Sequence, residues 1–348
     1  MKTIDISDIK IKFNPFNLFV FDNGQAVNAN INTTESAGIS PLMRQYYDTR
    51  IVRQAGPNLV YHQFALKRGI PANNGKVIVF HGFEDLDTDV EARELTEGQT
   101  PDGQTLSAYD IYATIKQYGG YVVLDDVVQT TAIDDTVTES VDKLSAQAAV
   151  VLDKLIRNAL ITDDEVDYSF PEGAEGADEL NPDTHKMSVT FIRRVVNQLK
   201  RVNAPKIDGF YPLVLHPDCV LDLQTTEEYK DLVKYADPKR FVNGYVGDLV
   251  GARIYESTNV KISKNAGGKP VYWNHMFGKD SYATVELSGG GLKTIIKPLG
   301  SSGVADALNQ RASAGWKAST VTKVLIPSYI MTLVCSSSTT PNESEYEN

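Results

Sequence analysis

The sequence predicts an α+β fold built from one long helix, a second amphipathic helix and many short strands. Along residues 134–161 apolar residues recur every three or four positions, which places them on one face of a helix. Short runs rich in β-branched and aromatic residues, such as 76–81 and 294–298, are bounded by Gly or Pro, as strands are. The chain has 348 residues, 42% of them hydrophobic. It therefore exceeds the size at which one core usually suffices, and two subdomains are predicted.

Composition narrows the class of protein. The formal net charge of −11 argues against a broad face that binds nucleic-acid phosphates tightly, because such binding depends on clustered Lys and Arg. Two cysteines, Cys219 and Cys335, cannot form a disulfide framework and are interpreted as small buried hydrophobes in a reducing cytoplasm. The first residues lack the layout of a signal peptide, and no run of about 18 apolar residues occurs. We expect a soluble protein that is not secreted.

The N-terminal region predicts an arm followed by a hairpin. Residues 1–50 are rich in Asn, Thr and Ser and show little periodicity, so we expect an extended arm that needs a partner surface. Strands are predicted at 59–64 and 76–81. The turn at 71–75 contains Asn-Gly, which favours positive φ and therefore predicts that these two strands pair as a hairpin.

A strongly acidic stretch follows. Residues 84–110 contain nine carboxylates and one arginine, which indicates a solvated or partner-facing excursion with its tip at 97–103. A Gly- and Pro-tipped loop is also a poor place to hold paired catalytic carboxylates rigidly. The return leg, 109–128, alternates as a strand does, and Gly119-Gly120 predicts a bend within it.

The long helix is predicted over 134–161, with a capping box at 136–139 in which a hydroxyl and a carboxylate satisfy backbone N–H groups. At 1.5 Å per residue it spans roughly 40 Å. A narrow apolar stripe with a polar back is typical of a structural spine. The residues of that stripe are Val137, Val141, Leu144, Ala148, Val151, Leu155 and Ala159.

The second half of the chain predicts a mixed unit. A polar loop at 162–184 leads to a helix at 188–202 with a basic outer face, and a second helix is predicted at 226–235. A turn is expected at 216–218. Predicted strands are 210–215, 249–255, 271–273, 283–287, 294–298, 315–321 and 324–335. The polar tail, 336–348, is expected to be disordered.

No pattern predicts a catalytic residue, a cofactor or a metal. The histidines His81, His216 and His275 are scattered without metal-ligand spacing and are interpreted as structural. Asp125-Asp126 could hold a divalent ion, but between apolar residues an edge or turn carboxylate is the commoner explanation. The glycine-rich stretches 288–291 and 301–303 lack the layout of a phosphate-binding loop and are read as turns.

Two runs resemble blocks in the major capsid proteins of tailed bacteriophages: 309–317 (NQRASAGWK) and 244–257 (GYVGDLVGARIYES). Neither run contains a nucleophile with its base, a set of metal ligands or a phosphate loop, so both suggest packing and subunit contact. The order of elements over 40–335 is similar to the Hong Kong 97-type capsid fold, and most closely to the coliphage N-four-type major capsid proteins. One departure is Ala307, where the resemblance leads us to expect proline.

The resemblance implies a division of the chain. A long hairpin called the E-loop would occupy about 75–118. The implied regions are an N-terminal arm (1–55), the E-loop and first peripheral-domain strands (56–133), a spine helix with an acidic loop (134–187), an axial domain (188–298), a return to the peripheral domain (299–335) and a disordered tail (336–348).

The resemblance also implies the function: hexamers and pentamers of the chain would form an icosahedral shell around double-stranded DNA, without sequence-specific DNA binding. The implied location is the virion, after assembly in the host cytoplasm. Implied partners are further copies of the chain, a scaffold, a portal and any decoration protein, with no membrane. Such a protein is not an enzyme. Two other classes stay open: an encapsulin compartment on the same fold, and an α/β hydrolase if His216, Asp218 and Tyr211 lined a pocket.

The acidic excursion is the main candidate for contact between subunits, because so many carboxylates need cationic partners once they are packed. The residues expected there are Glu94, Glu97 and Asp102. The basic clusters available to them are Arg193, Arg194, Lys200 and Arg201 on the 188–202 helix, or Arg44, Arg50 and Arg53 in the arm. Some relatives link subunits through an E-loop lysine. No lysine lies in 77–115, so we expect non-covalent shells.

Overall fold

The structure is a computed structural model, and it divides into two compact units, Met1–Arg53 and Gln54–Asn348. In the first unit, Ile11–Phe13 (β1) pairs antiparallel with Phe19–Phe21 (β2). The remainder of the predicted arm lies outside the described residues, as does Ala307. The described residues are 11–13, 19–21, 60–71, 74–86, 88–90, 94, 97, 103–131, 136–236, 247–287, 291–301 and 308–347.

The second unit contains six α-helices and fourteen strands within its described residues. The helices are α1 (Tyr61–Phe64), α2 (Asp126–Thr131), α3 (Thr136–Thr162), α4 (Val189–Arg201), α5 (Pro217–Thr225) and α6 (Glu227–Ala236). The strands are β3 (Leu66–Ile70), β4 (Val77–Phe83), β5 (Ala108–Thr114), β6 (Lys116–Asp125), β7 (Asp167–Ser169), β8 (Tyr211–Leu215), β9 (Asp248–Leu249), β10 (Ala252–Glu256), β11 (Lys261–Lys264), β12 (Pro270–Phe277), β13 (Tyr282–Leu287), β14 (Lys293–Lys297), β15 (Arg311–Val324) and β16 (Ile330–Cys335).

Seven strands form the larger sheet, in the order β7-β16-β12-β8-β10-β9, with β11 added beside β12. Helix α4 packs on it through an apolar face: Val195 and Leu199 share a buried cluster with Leu213 of β8, Met276 of β12 and Leu333 of β16. Burial of these side chains is the main force that holds the helix on the sheet, at about 1.5 to 3 kcal/mol for each large apolar residue.

Five strands form the second sheet, in which β15 is central. Along one edge β15 pairs with β14 and then with β13, and along the other edge it pairs antiparallel with β6. Helix α3 covers one face, where Leu144 and Ala148 pack against Ala314, Trp316 and Ala318. The alternation of buried small residues along β15 is what lets the helix approach the sheet closely.

Strands β4 and β5 form a separate two-stranded hairpin, with Val77 opposite Thr114 and Phe83 opposite Ala108. The connection between them is 84–107, which holds most of the acidic excursion. We call 84–107 the acidic segment. It contains eight carboxylates and one arginine.

The predicted helices α3 and α4 are confirmed within two residues at each end. Ser188 caps α4, since its hydroxyl accepts a hydrogen bond from the backbone N–H of Phe191. In α3 the first turn contains Glu139, as the capping box requires, while the residues that precede Thr136 lie outside the description.

The predicted apolar stripe of α3 is wrong in its second half. Leu144 and Ala148 are buried, but further along the buried residues are Asp153, Ile156, Arg157 and Leu160. This half is enclosed on more than one side, because Ile156 and Leu160 share a cluster with residues of the Val60–Tyr61 segment and of β13. A two-sided environment buries a wider arc of the helix than an amphipathic stripe predicts.

The buried charges of α3 are satisfied by hydrogen bonds. Asp153 accepts from the backbone N–H of His62 at 3.3 Å and from the side-chain amide of Asn259 at 3.0 Å. Arg157 donates to the backbone carbonyl of Asn259 at 2.7 Å. Burial still raises the pKa of Asp153 above its ordinary value, even though these hydrogen bonds lower it. The cluster ties α3 to two segments distant in sequence.

The predicted hairpin around Asn74-Gly75 is wrong. Residues 61–64 form helix α1 rather than a strand, and β3 pairs in parallel with β13 instead of with β4. Gly75 does have positive φ, 80°, but β4 has β5 as its partner. The buried Tyr61 explains the first error: it belongs to the core beneath α3, so its apolar neighbours reflect burial and not strand alternation.

The bend predicted at Gly119-Gly120 is also wrong, because both glycines lie within the continuous strand β6. They are needed for close approach. A Cβ on Gly120 would lie 2.9 Å from Oε1 of Gln147 and 3.1 Å from Nε1 of Trp316. The absence of that Cβ leaves room for the 3.1 Å hydrogen bond that Trp316 donates to Gln147.

Three other local predictions need correction. The turn at 216–218 is the start of α5, with His216 as its cap. The strand at 249–255 is divided into β9 and β10, since Val250 and Gly251 both have positive φ. Strand β11 was not predicted, and β12 is longer than expected.

The tail was predicted to be disordered, and for 336–347 that prediction is wrong. Asp222 accepts hydrogen bonds from the backbone and the hydroxyl of Ser338, and Lys264 pairs with Glu343 at 2.9 Å. Tyr346 packs against the α4 cluster. The polar composition of this stretch reflects hydrogen bonding along the surface. Within the described part of the chain, no helix is both long and apolar enough to cross a membrane.

Candidate assembly surfaces

The acidic segment leaves the β4–β5 hairpin with its described side chains exposed. Glu94 and Glu97 are exposed, whereas Asp102 lies outside the described residues. Apolar side chains are exposed beside the carboxylates: Leu86 is 50% exposed and Val90 is 81% exposed. A segment that exposes both charges and aliphatic side chains has the composition of a surface that another chain covers.

The predicted basic face of α4 is confirmed as exposed, with Arg193, Arg194, Lys200 and Arg201 on the side away from the core. Arg194 is already engaged, because its guanidinium donates to the backbone carbonyl of Phe170 and lies 5.3 Å from the ring centre of Phe191. Lys200 and Arg201 lie in the last turn, where cations are favoured by the helix dipole.

A second basic surface, not predicted from the sequence, lies on the five-stranded sheet opposite α3. In the register of β14, β15 and β6, Lys293 is opposite Lys317, Ile295 is opposite Gly315, and Gly315 is opposite Tyr121. Residues directly opposite one another share a face of the sheet. We call this surface the basic sheet face. Its members are Lys293, Ile295, Lys297, Arg311, Ser313, Gly315, Lys317, Gly119, Tyr121, Val123 and Asp125.

Four cations and one carboxylate therefore lie on the basic sheet face, in a chain whose net charge is −11. Lys293, Lys297, Arg311 and Lys317 are all exposed. The sequence hides this cluster, since it is assembled from three strands. The one available signal is that Arg311 and Lys317, and Lys293 and Lys297, are separated by even numbers of residues, which puts each pair on one side of its strand.

Glycines form the floor of a groove on this face, about 540 Å³ in volume. A Cβ on Gly315 would lie 2.9 Å from Cβ of Tyr121, and a Cβ on Gly119 would lie 2.8 Å from the carbonyl oxygen of Trp316. The apolar walls are open: Tyr121 is 77% exposed and Ile295 is 44% exposed. The face is thus a shallow channel with apolar walls and cations beside it.

The hydrolase arrangement is not assembled. His216 lies 3.2 Å from Asp218, whose carboxylate accepts from the hydroxyl of Tyr272 at 2.6 Å. Tyr211 instead donates its hydroxyl to the backbone carbonyl of Ala204. Burial lowers the pKa of His216, and the nearby charge of Asp218 opposes that shift. His216 serves as the cap of α5, so these residues have structural roles.

The remaining candidate groups also have structural partners. His275 is buried, with Nδ1 3.2 Å from the Tyr61 hydroxyl, and burial lowers its pKa to about 3. Asp126 opens α2 by accepting from the backbone N–H of Val127. In the part of the chain that the structure describes, no three His, Cys, Asp or Glu residues are placed to hold a metal.

The two cysteines are buried, as predicted, but they are not distant in space. The sulfur atoms of Cys219 and Cys335 lie 3.6 Å apart. The amide of Asn274 reaches both of them, at 3.7 and 3.4 Å. Burial raises the pKa of the Cys219 thiol well above its ordinary value, which keeps it protonated.

No protein-family model matches the sequence, and no curated protein matches it. Solved phage structures do match the fold. A structure from Mycobacterium phage Che8 is 16% identical, with a TM-score of 0.63 over 84% of this chain and 96% of that chain. The capsid of cyanophage P-SCSP1u is 14% identical, with a TM-score of 0.66 over 86% and 94%. The capsid of Ralstonia phage GP4 is 13% identical, with a TM-score of 0.65 over 87% and 97%.

At these identities the likeness concerns the fold, and it extends over nearly the whole length of each matched chain. The α+β architecture, the long helix α3 against a sheet and the projecting β4–β5 hairpin were all expected from the resemblance noted in the sequence. The chain has the Hong Kong 97-type fold of phage capsid proteins.

Proposed function

We propose that this protein is a major capsid protein, which assembles as hexamers and pentamers into the icosahedral head of a phage and encloses double-stranded DNA. The observation that carries the proposal is the agreement in fold with phage capsid structures over 84% or more of this chain. A shell is held by many modest contacts repeated by symmetry, so it needs no active site.

The exposed surfaces of the described residues support this proposal. The acidic segment and the basic sheet face both expose charges together with apolar side chains. Isolated exposed apolar residues are ordinary, but contiguous groups with a polar rim indicate contact with another molecule. A self-assembling subunit explains both surfaces without invoking an unrelated partner.

We further propose the family's regional roles for this chain. The β4–β5 hairpin with its connection corresponds to the E-loop, α3 to the spine helix, and the seven-stranded sheet with α4 to most of the axial domain, in a subunit of the N-four type. The limits between regions follow the sequence expectation, although sheet membership cuts across one of them: β13 and β14 pair with β15. The partners of this proposal are a scaffold, a portal and any decoration protein, in a virion assembled in the host cytoplasm.

Glu94, Glu97, Asp102 and the α4 cations Arg193, Arg194, Lys200 and Arg201 are proposed to lie at contacts between subunits. Support comes from the exposure of the described members and from their opposite charge. Because Arg194 already has intramolecular partners, we expect the other three cations to contribute more to such a contact.

Electron microscopy and sedimentation of the purified chain, alone and with a co-expressed scaffold, test the function. The expected result is capsomers or closed shells. A monomer that stays compact at high concentration in both preparations contradicts the proposal. Large DNA-filled particles from infected cells would agree with a phage head, whereas small particles that hold enzyme cargo would identify an encapsulin instead.

A further inference from the structure

We propose that the basic sheet face binds the acidic segment of a second copy of this chain. This inference rests on the proposed function, because it names the surface through which one assembling subunit holds the next. The sequence pointed to α4 or the arm as the partner of the acidic segment. The structure adds a third basic surface whose shape and charge fit that segment better than α4 does.

Charge is the first argument. Lys293, Lys297 and Lys317 are exposed on the face, and Arg311 is exposed beside them. The acidic segment carries eight carboxylates and one arginine, a net charge of −7. Two such groups on separate copies attract each other at encounter, and the attraction weakens as salt screens it beyond about 8 to 10 Å.

The apolar groups of the two surfaces are the second argument. The groove exposes Tyr121 and Ile295 above a glycine floor, and the segment exposes Leu86, Val90 and Leu106 between its carboxylates. Aliphatic side chains that insert between Tyr121 and Ile295 would leave water together, while the carboxylates reach the lysines at the rim. An interface of this kind has an apolar centre and a polar rim.

Helix α4 fits the segment less well. Its outer side is a convex row of cations without a groove, and the guanidinium of Arg194 is already held by Phe170 and Phe191. Nucleic acid also fits the sheet face less well, since a phosphate backbone has no groups that match the exposed apolar walls. The overall charge of −11 further opposes a polyanion as occupant.

The test uses charge reversal and rescue in the full-length chain. The sheet variant is Lys293→Glu with Lys297→Glu, and the segment variant is Glu94→Lys with Glu97→Lys. The third protein combines all four changes. A parallel α4 variant, Lys200→Glu, is also combined with the segment variant. Each protein is assembled at low and moderate salt and followed by light scattering and sedimentation.

Two controls separate contact from folding and from total charge. Lys67→Glu with Arg68→Glu places the same charge change on exposed residues of β3. Circular dichroism and thermal melting of every variant establish that the subunit is folded. Synthetic peptide 84–107 and a scrambled peptide of the same composition are added to the parent as competitors.

We expect the sheet variant and the segment variant each to slow assembly at least tenfold at low salt, and the four-change protein to recover most of the rate. The β3 control should assemble like the parent, and peptide 84–107 should inhibit more than its scrambled form. Rescue of the segment variant by the α4 change instead of the sheet change would overturn the inference.

Unaltered assembly of the sheet variant at every salt concentration, in a parent that does form shells, would also overturn the inference and leave the proposed function standing. A parent that never assembles, with or without scaffold, refutes the proposed function itself. If DNA and not peptide 84–107 binds the parent in a manner lost in the sheet variant, the face is a nucleic-acid surface and the inference is wrong.

Discussion

Replacing Asp153 with alanine should destabilise the subunit strongly, even though it lies on a helix whose sequence suggests a polar back at that position. Asp153 is 1% exposed and accepts hydrogen bonds from the His62 backbone and the Asn259 side chain. Its loss leaves two donors without an acceptor, at about 1 to 3 kcal/mol each. Arg157, 2% exposed, also loses a nearby negative charge. We expect a total cost of about 3 to 5 kcal/mol, as for breaking a buried charged pair.

Urea-induced unfolding measures this cost as a lower midpoint with an unchanged slope. The matched control is Glu139→Ala on the same helix, which removes only the exposed pair with Lys143 at 3.6 Å and should cost less than about 1 kcal/mol. A double variant, Asp153→Leu with Arg157→Met, should recover part of the loss, because apolar side chains of similar size need no partners. If Asp153→Ala and Glu139→Ala unfold at the same urea concentration, the buried cluster does not hold α3 as described.

Three further predictions concern assembly and the sheet. Glu94→Lys with Glu97→Lys should weaken shell formation at low salt and approach the parent as salt rises, since exposed charges are then screened; equal assembly of both proteins at all salt concentrations would contradict this. Denaturing electrophoresis of mature particles should show a monomer band, because residues 77–115 contain no lysine; a ladder of multimers would refute it. Gly119→Ala should lower the melting temperature by several degrees, because its Cβ would lie 2.8 Å from a backbone carbonyl of the facing strand. Gly103→Ala, which meets nothing within 4 Å, should not, and equal losses would show that the close approach is unimportant.

The sequence predicts elements whose environment repeats regularly. Helix α4 is an example, because its apolar residues face one sheet and its N-cap serine precedes them directly. Burial of Asp153 could not be predicted, since its partners are His62 and Asn259, which lie 91 and 106 residues away. Tyr61 led to an incorrect strand for the same reason: its neighbours are apolar because they lie beneath α3, which no local pattern encodes.

The candidate surfaces divide in the same way. The charges of the acidic segment and of α4 are contiguous in the chain or lie on one helix, so they could be found from the sequence. The basic sheet face could not, because Lys293 and Lys317 become neighbours only through the pairing of β14 with β15. Gly119-Gly120 shows the limit for single residues: glycine indicates an unusual backbone requirement, but only the structure shows that the requirement here is space for Trp316.

The place of β15 and β16 in the two sheets determines when the subunit can fold during translation. Strand β15 joins β6, β13 and β14, and β16 lies between β7 and β12, yet the ribosome makes both after all of those partners. Earlier strands must therefore wait with open edges, which are sites of aggregation. At about 5 to 20 residues per second, that interval lasts on the order of ten seconds. A nascent chain of this kind would need protection by chaperones, and it could not offer a completed sheet to a neighbour until its own synthesis was almost finished.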